Sequence, residues 1–511
     1  MHAPKSARPV SVRAQLATIA SRVERVARED LMMFINACFS CSGQREYYSD
    51  AKGQAVSIEF LHLYILGNYR RLYARTLAAG INHYNQAIIL VNLLATGKDT
   101  TERAEEGALI RAALRRLPPQ RAFRVLTMLR ERRINNRRAR AVVKEYLAER
   151  PDPTFDAVKY RTKVRAAAIH AHLRLPGETG AFLFRGWKTR TFQTPMFETF
   201  RGAHFGASGV FDLPFTIAEG LAAKHKIPRA TFLQKIAPRM TTGEKLRMQG
   251  AAARETRTTI DLDLTRIGLT KLALYVLSLD EATRTARAGE LRAAMDISAR
   301  RAIAKVPARL GRVAAVLDRS RSASGSSEKR RRPLGVALAA SVLLSNAATE
   351  YRAFWTTPLD SDELGVTARG QTRLGGPLLD ALDWKPDLVV IVSDGFENDP
   401  PLGAAEVARV FRSRLDPERK TAIVHMNPVF DAQNYAPRTL GDAIPTVGLR
   451  DAEDLLTVLG FARFADGHAP LAELESYLAA RMAEMLDAES REATSPHTDV
   501  ESVLRPEEPA T

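Results

Sequence analysis

The chain has 511 residues and a formal net charge of +17, and 45% of its residues are hydrophobic. That hydrophobic content excludes a globally disordered chain, and a membrane span is excluded because no run of ~18 apolar residues lacks charges. Its two cysteines cannot form a disulfide scaffold and suit a reducing compartment. We expect no secretory leader, and hence a cytoplasmic protein.

The positive charge is concentrated in one part of the chain. Residues 1–300 carry a net charge of +23, of which +17 falls within 101–250, whereas residues 301–511 carry −6. Such asymmetry predicts two units with different partners. The basic segment predicts binding to a polyanion, although a solvated helix surface is the alternative for any single helix.

The first 300 residues are predicted to be α-helical. Apolar residues recur at three- and four-residue spacing in segments such as 57–80, 85–97, 122–133 and 138–149, and Pro or Gly separates the segments. Helices of this length with short connections predict a stack of helical hairpins over residues 25–304, after an N-terminal extension at 1–24.

The pattern changes near residue 305. Apolar runs of strand length at 311–318, 350–355, 387–394 and 420–427 alternate with helical patterns at 333–346, 375–383 and 404–415. This alternation predicts a doubly wound α/β domain with a parallel sheet over 305–484. Residues 485–511 are rich in Glu, Ser, Pro and Thr and are predicted to be a disordered tail.

Oxygen-bearing side chains follow the predicted strands in three segments. The first segment has the pattern Asp-x-Ser-x-Ser, the second places a threonine before a helix, and the third is Ser-Asp-Gly. Carboxylates and hydroxyls at the carboxyl edge of a sheet suit Mg²⁺ or Ca²⁺. The predicted ligands are Asp318, Ser320, Ser322, Thr372 and Asp394.

These three segments, in this order, resemble the metal-ion-dependent adhesion site (MIDAS) of von Willebrand factor A domains. The resemblance implies a bound divalent cation, Mg²⁺ or Ca²⁺, whose open position accepts a carboxylate or another oxygen of a partner. Arg319, Arg321 and Arg373 lie inside the three segments. They are expected either to oppose the cation or to recruit an anionic ligand.

A basic helical half followed by such a domain resembles the Ro autoantigen family. Residues 34–38 and 42–48, which end in a Tyr-Tyr pair, resemble the start of that family's TROVE module. The resemblance implies HEAT-like helical repeats in a ring closed by the von Willebrand A domain. It also implies a non-enzymatic protein that binds small noncoding RNA of the Y or misfolded type in RNA quality control.

The residues themselves also favour RNA. Arginine offers planar, bidentate contacts to phosphate, and arginines dominate the basic clusters between 132 and 201. The residues predicted to contact RNA are Arg132, Arg133, Arg137, Arg138, Arg140, Lys159, Arg161, Lys163, Arg165, Arg174, Lys188, Arg190 and Arg201. Seven aromatic residues interleave with the last of these between 182 and 205. Aromatic rings can stack on unpaired bases, but we expect most of these seven in the core.

Two alternatives remain open. One is a protein-interaction scaffold whose A domain binds a carboxylate-bearing partner, and an exoribonuclease is a further possible partner at the metal site. The other is a metal-dependent hydrolase, which is disfavoured because no general base accompanies the ligands. No membrane or DNA partner is expected. Cys38 and Cys41 are expected to be buried thiols.

Overall fold

The structure is a computed structural model that describes residues 12–96, 102–256, 260–304, 309–359, 362–465 and 469–494. Up to residue 304, the described part is helical, as predicted. Its α-helices are α1 (Val12–Ser40), α2 (Ala51–Asn68), α3 (Arg70–Arg75), α4 (His83–Ala95), α5 (Arg103–Arg116), α6 (Pro119–Glu131), α7 (Arg137–Ala148), α8 (Pro153–Lys159), α9 (Arg161–His170), α10 (Gly177–Arg185), α11 (Pro195–Phe205), α12 (Phe215–Lys224), α13 (Arg229–Ile236), α14 (Thr242–Thr256), α15 (Leu269–Ser278), α16 (Glu281–Ala286) and α17 (Ala288–Ile303).

Local chemistry explains where several of these helices begin. Asn82 and Asn136 accept hydrogen bonds from the amides of Asn85 and Ala139, and so cap α4 and α7. Proline occupies the first turn of α6, α8 and α11, where its missing N–H costs nothing. These signals, together with the apolar spacing, account for the agreement between the predicted and observed helices.

The second half is a parallel α/β domain. Its strands are β1 (Leu310–Leu317), β2 (Ala348–Trp355), β3 (Leu388–Val392), β4 (Ala422–Asn427) and β5 (Thr446–Gly448), and its helices are α18 (Arg332–Ala347), α19 (Gly375–Asp383), α20 (Gly403–Arg414), α21 (Leu455–Ala465) and α22 (Leu471–Thr494). The sheet order is β2-β1-β3-β4-β5, and every pairing is parallel. The predicted parallel sheet is confirmed.

Both faces of the sheet are covered. Along β1, Val313, Ala315 and Leu317 belong to the large core that includes α18. Ala314 and Val316 face the other way, into a smaller core that α19 and α20 complete. This alternation explains why β1 is apolar throughout instead of alternating with polar residues.

The two halves share one hydrophobic core. Helix α1 packs against the edge strand β5 and against α21 and α22. The side-chain nitrogen of Asn36 in α1 donates to the carbonyl of Thr446 at 3.2 Å. Its side-chain oxygen accepts from the backbone amide of Gly448, also at 3.2 Å. Asn36 therefore satisfies the open edge of the sheet, which would otherwise expose unpaired backbone groups. Cys38 and Cys41 are buried free thiols, as predicted.

The boundaries at the two ends of the chain differ from those predicted. The expected disordered tail at 485–511 is wrong for its first ten residues, because α22 continues to Thr494 and packs against α3 and α5. The rest of that tail lies outside the described residues. At the other end, α1 already begins at Val12, inside the segment predicted as an extension. Among the described helices, none is long and apolar enough to cross a membrane.

Candidate functional site

Two neighbouring strands bring the predicted carboxylates to one edge of the sheet. Asp318 follows the last residue of β1, and Asp394 follows β3 after one serine. Leu317 and Val392 are partners in the β1–β3 pairing, and the Asp318 amide donates to the Val392 carbonyl at 3.0 Å. Parallel strands end at the same edge, so the two aspartates emerge side by side.

The two serines of the first segment gather around Asp318. The Ser320 amide and hydroxyl donate to the two carboxylate oxygens of Asp318 at 2.8 and 2.9 Å. The Ser320 and Ser322 hydroxyl oxygens are 3.1 Å apart. The structure thus brings Asp318, Ser320 and Ser322 into one hydrogen-bonded cluster, and all three are buried.

Backbone pairing carries Thr372 to the same edge. The Arg321 amide donates to the Gly370 carbonyl at 3.0 Å, and the Arg369 amide donates to the Arg319 carbonyl at 2.7 Å. Thr372 is buried, and its amide donates to the Asn398 side chain at 3.0 Å. The second predicted segment is therefore held against the first.

The electrostatics of this edge suit a cation. Burial and the neighbouring Asp394 raise the pKa of Asp318 to about 7, and burial raises the pKa of Asp394. One oxygen of Asp394, Oδ2, is buried and has no hydrogen-bond partner among the described residues. Two adjacent buried carboxylates with an unpartnered oxygen are costly unless a positive charge joins them.

The donor set itself decides which metals fit. No cluster of three or more His, Cys, Asp and Glu side chains that could hold a metal ion occurs within the described residues. The buried oxygen-bearing side chains that the sequence predicts at the sheet edge are two carboxylates and three hydroxyls. Such all-oxygen ligands fit Mg²⁺ or Ca²⁺ and disfavour zinc.

The arginines inside the three segments would oppose a cation at this edge only weakly. Arg319 is 1% exposed and points away, where its guanidinium donates to the carbonyls of Thr367 and Pro358 at 3.1 Å each. Arg373 lies 3.5 Å from Asp399 and is largely solvated. Arg321 is exposed to solvent. The repulsion that these three arginines could exert on a cation is therefore weak, since Arg319 is turned away and the other two are solvated and screened.

A loop of the helical half reaches this edge, which the sequence did not predict. Tyr48 lies beside Phe396, with ring centroids 5.4 Å apart, and burial together with Asp394 raises the pKa of Tyr48. In the same loop, Glu46 forms a buried ion pair with Lys329. In the sequence, the Tyr-Tyr pair is informative only as part of a family resemblance. No local pattern connects it to a site 270 residues away.

Beside Asp394, Ser393 and His425 form a second unpredicted pair. The Ser393 hydroxyl lies 2.9 Å from His425 Nε2, and the other ring nitrogen lies 3.1 Å from the Thr446 hydroxyl. Both residues are almost completely buried, and burial lowers the pKa of His425 to about 4. Within the part of the chain that the structure describes, neither side chain hydrogen-bonds to a carboxylate, and the pair links the end of β3 to β4 and β5.

On the helical half, five of the thirteen residues predicted to contact RNA also hold internal contacts. Arg138 pairs with the buried Glu106 at 3.1 Å, and Lys159 pairs with Glu244 at 3.7 Å. Arg161 donates to the carbonyls of Phe182 and Leu183, both at 3.2 Å. The remaining two are Arg132, which pairs with Glu59, and Arg201, which pairs with Glu198. These five side chains stabilise the fold, and only part of their charge faces solvent.

The other eight are exposed. Within the described residues, none of the eight forms an ion pair, and six of them lie over no aromatic ring: Arg133, Arg137, Arg140, Lys163, Arg174 and Arg190. Arg165 lies over the ring of Phe184 at 5.3 Å, and Lys188 lies over that of Trp187 at 5.9 Å. These eight keep their charge available to a polyanion.

A basic cavity lies along this surface. It measures about 390 Å³, and Arg130, Arg161, Arg165 and His170 line it together with apolar residues. His170 Nε2 lies 2.9 Å from the carbonyl of Ile134, which places the α6–α7 loop beside the end of α9. The cavity therefore brings Arg130 of α6 together with Arg161 and Arg165 of α9.

The aromatic residues between 182 and 205 divide into two groups. Four phenylalanines, at 182, 192, 197 and 200, are buried, as expected for most of them. Phe184, Trp187 and Phe205 are exposed, with 38–66% of each residue accessible. The exposed rings lie among the basic residues, where stacking on a base is sterically open.

A helical half that shares its core with a parallel α/β domain defines the class of fold. Among solved structures, the chain is similar to the crystal structure of the Deinococcus radiodurans Ro (RSR) protein, with a TM-score of 0.50 and 13% identity. The match covers 86% of this chain and all of that one. It confirms the Ro-like fold that the sequence predicted. No protein-family model and no curated protein sequence matches the chain.

Proposed function

We propose that this protein binds small structured or misfolded noncoding RNA through the exposed basic surface of α7, α9 and the segment that follows α10, in RNA quality control or processing. The observation that carries the proposal is the set of eight exposed basic residues between Arg133 and Arg190, of which Arg165 also lines the basic cavity. Phosphates bind such surfaces through counterion release, and single-stranded segments favour grooves with exposed aromatic rings. The Ro-like fold supports the same class of ligand.

The sheet edge supports a second part of this proposal, which rests on its buried carboxylates. Asp318, Ser320, Ser322, Thr372 and Asp394 would hold a divalent cation, Mg²⁺ or Ca²⁺. The cation would supply a Lewis-acidic position for an oxygen of a partner. An exoribonuclease or another protein is the proposed partner there. A ring-shaped helical half and a cytoplasmic location stay predictions.

The test is the salt dependence of RNA binding. The triple variant Arg133→Ala, Arg137→Ala, Arg140→Ala removes three exposed charges that form no ion pair with the described residues, so it should fold normally. We expect weaker binding of a small structured RNA, and the slope of log K against log salt should fall by about 2, at ~0.7–0.9 per phosphate contact. Filter binding over a salt series measures both quantities.

The matched control removes three exposed basic residues of the A domain, Arg352, Lys385 and Arg414. Its affinity and salt slope should equal those of the parent chain. Failure of the parent chain to bind RNA at low salt, or equal effects of the two triple variants, would contradict the proposal. Arg132 and Arg138 are unsuitable targets, because their loss would also break internal ion pairs.

A further inference from the structure

Two exposed aromatic side chains meet on the helical half. Trp187 lies in the single turn Gly186–Lys188 that follows α10, and Phe205 is the last residue of α11. Their ring centroids are 6.1 Å apart with the planes at 80°, and 38% of Trp187 and 66% of Phe205 are accessible. Large rings this exposed carry a cost in water, since each leaves apolar area uncovered.

These rings are held firmly from below. His204 stacks on Trp187 with centroids 5.3 Å apart and planes at 20°, and Phe200 contacts His204 at 4.9 Å. Phe200 in turn packs against Phe182 in the buried aromatic core. The indole is therefore presented with one face supported, so little conformational entropy remains to be lost when a ligand binds.

The surroundings of the rings are positively charged. The ammonium groups of Lys188 and Lys224 lie 5.9 and 5.8 Å from the centre of the Trp187 ring. The Lys224 ammonium donates to the carbonyl of His204 at 2.8 Å, which fixes it beside the stack. The Arg201 guanidinium lies 5.8 Å from the Phe205 ring, although Glu198 also pairs with it. The positive charge therefore favours a ligand that carries negative charge over a neutral apolar ligand.

The aromatic patch adjoins the basic cavity. Arg161 lines the cavity, and its guanidinium lies 5.8 Å from the ring of Phe200 beneath the stack. A chain of phosphates that follows the cavity would therefore reach Trp187 without leaving the basic surface.

We propose that Trp187 and Phe205 form a stacking platform for an unpaired base of single-stranded RNA, with Lys188 and Lys224 contacting the adjacent phosphates. A flat apolar ring beside two ammonium groups is complementary to a nucleotide, which combines a flat base with a phosphate. The inference rests on the proposed RNA binding and adds to it the part of the RNA that is recognised. A duplex offers no free base face, so the platform selects unpaired segments.

The test compares two probes on the full-length chain: an adenosine hexanucleotide and a blunt RNA duplex without unpaired ends. Trp187→Leu should weaken hexanucleotide binding by roughly tenfold or more, since stacking is worth ~1–3 kcal/mol per base. Duplex affinity and the salt slope should be unchanged, because no charge is removed. Trp187→Phe, which keeps a ring, should retain most of the affinity.

Tryptophan fluorescence provides an independent measurement. The hexanucleotide should quench the parent chain, and the Trp187→Phe variant should lose that quenching, because the other two tryptophans lie in the A domain. Phe60→Ala is the matched control for Phe205→Ala, since Phe60 is a similarly exposed phenylalanine on α2. Only Phe205→Ala should weaken hexanucleotide binding.

Two failures are distinguishable. If neither probe binds the parent chain, the proposed RNA binding itself is wrong. If the duplex and the hexanucleotide bind but Trp187→Leu changes neither affinity, or if binding leaves the fluorescence unchanged, the platform is refuted and the basic surface remains.

Discussion

The ion pair between Glu46 and Lys329 should contribute strongly to stability. Its two side chains are only 4% and 5% exposed, and it joins the helical half to the loop that follows the candidate metal site. Two further hydrogen bonds accompany it: the Ser326 hydroxyl donates to the Arg45 carbonyl, and the Arg45 amide donates to Glu328. The substitution Lys329→Met keeps the length of the side chain and leaves Glu46 buried without its partner.

The size of the loss follows from what Glu46 can do next. An unpaired buried carboxylate costs ~3–5 kcal/mol, but it can escape that cost by binding a proton. At pH 7, protonating a glutamate of ordinary pKa costs about 3.7 kcal/mol, and at pH 5 it costs only about 1 kcal/mol. Burial already raises the pKa of Glu46, and Lys329 opposes that rise. Lys329→Met should therefore lose roughly 3–4 kcal/mol at pH 7 and ~1–2 kcal/mol at pH 5.

The sign of the pH dependence is the sharper part of this test. In the variant, the folded chain binds a proton at Glu46 more tightly than the unfolded chain does, so stability falls as pH rises between the two pKa values. Urea denaturation at pH 5 and pH 7 measures this, with exposed Lys385→Met as the control. The double variant Glu46→Gln, Lys329→Met should recover part of the loss, because it buries no charge. A deficit below ~1 kcal/mol at pH 7, or one that is equal at both pH values, would refute the reasoning.

Two other predictions address the sheet edge and a buried histidine. Calorimetric titration with Mg²⁺ or Ca²⁺ should show one site that Asp318→Ala abolishes and the exposed control Asp383→Ala keeps; retention of the site in Asp318→Ala would contradict the ligand assignment. Burial lowers the pKa of His62 to about 4, so the unfolded chain binds more protons there between pH 6.5 and pH 4 and stability falls as pH falls. Lowering the pH from 7 to 5 should therefore reduce the free energy of unfolding by about 2 kcal/mol through His62. His62→Gln should remove this part of the pH dependence of stability, whereas the exposed control His172→Gln should keep it. Equal pH profiles of unfolding for the two variants would contradict the assignment to His62.

The order of the elements and the edge at which Asp318 and Asp394 lie could be predicted because their signals are local. The apolar runs of β1 and β3, each followed by an aspartate, identify both the strands and the edge at which they end. The sequence does not predict strand β5, because a run of only three residues, Thr446–Gly448, is too short to show a periodic pattern. Helix α22 was missed at its end because its last turns are polar, and its packing partners lie near the start of the chain.

Long-range pairing explains why the sequence cannot show which basic side chains are already paired within the fold. Arg138 and Lys159 belong to basic clusters in the sequence, but their carboxylate partners lie 32 and 85 residues away and become visible only in the fold. Arg319 illustrates the opposite case, since a residue between two ligands points to the other side of the loop and finds backbone carbonyls there. Composition predicted where the charge lies, and tertiary contacts decide which of those charges reach solvent.

The loop at 42–50 connects the two proposed functions physically. Through Glu46 it is anchored to Lys329, and through Tyr48 it touches Phe396, two residues beyond Asp394. The next helix, α2, packs against α4, which in turn packs against α6 below the basic cavity. Tyr48 therefore lies beside the edge at which a partner of the proposed metal site would bind. Coupling between the two sites needs this loop to have two arrangements, and Lys329→Met is the change that would loosen it.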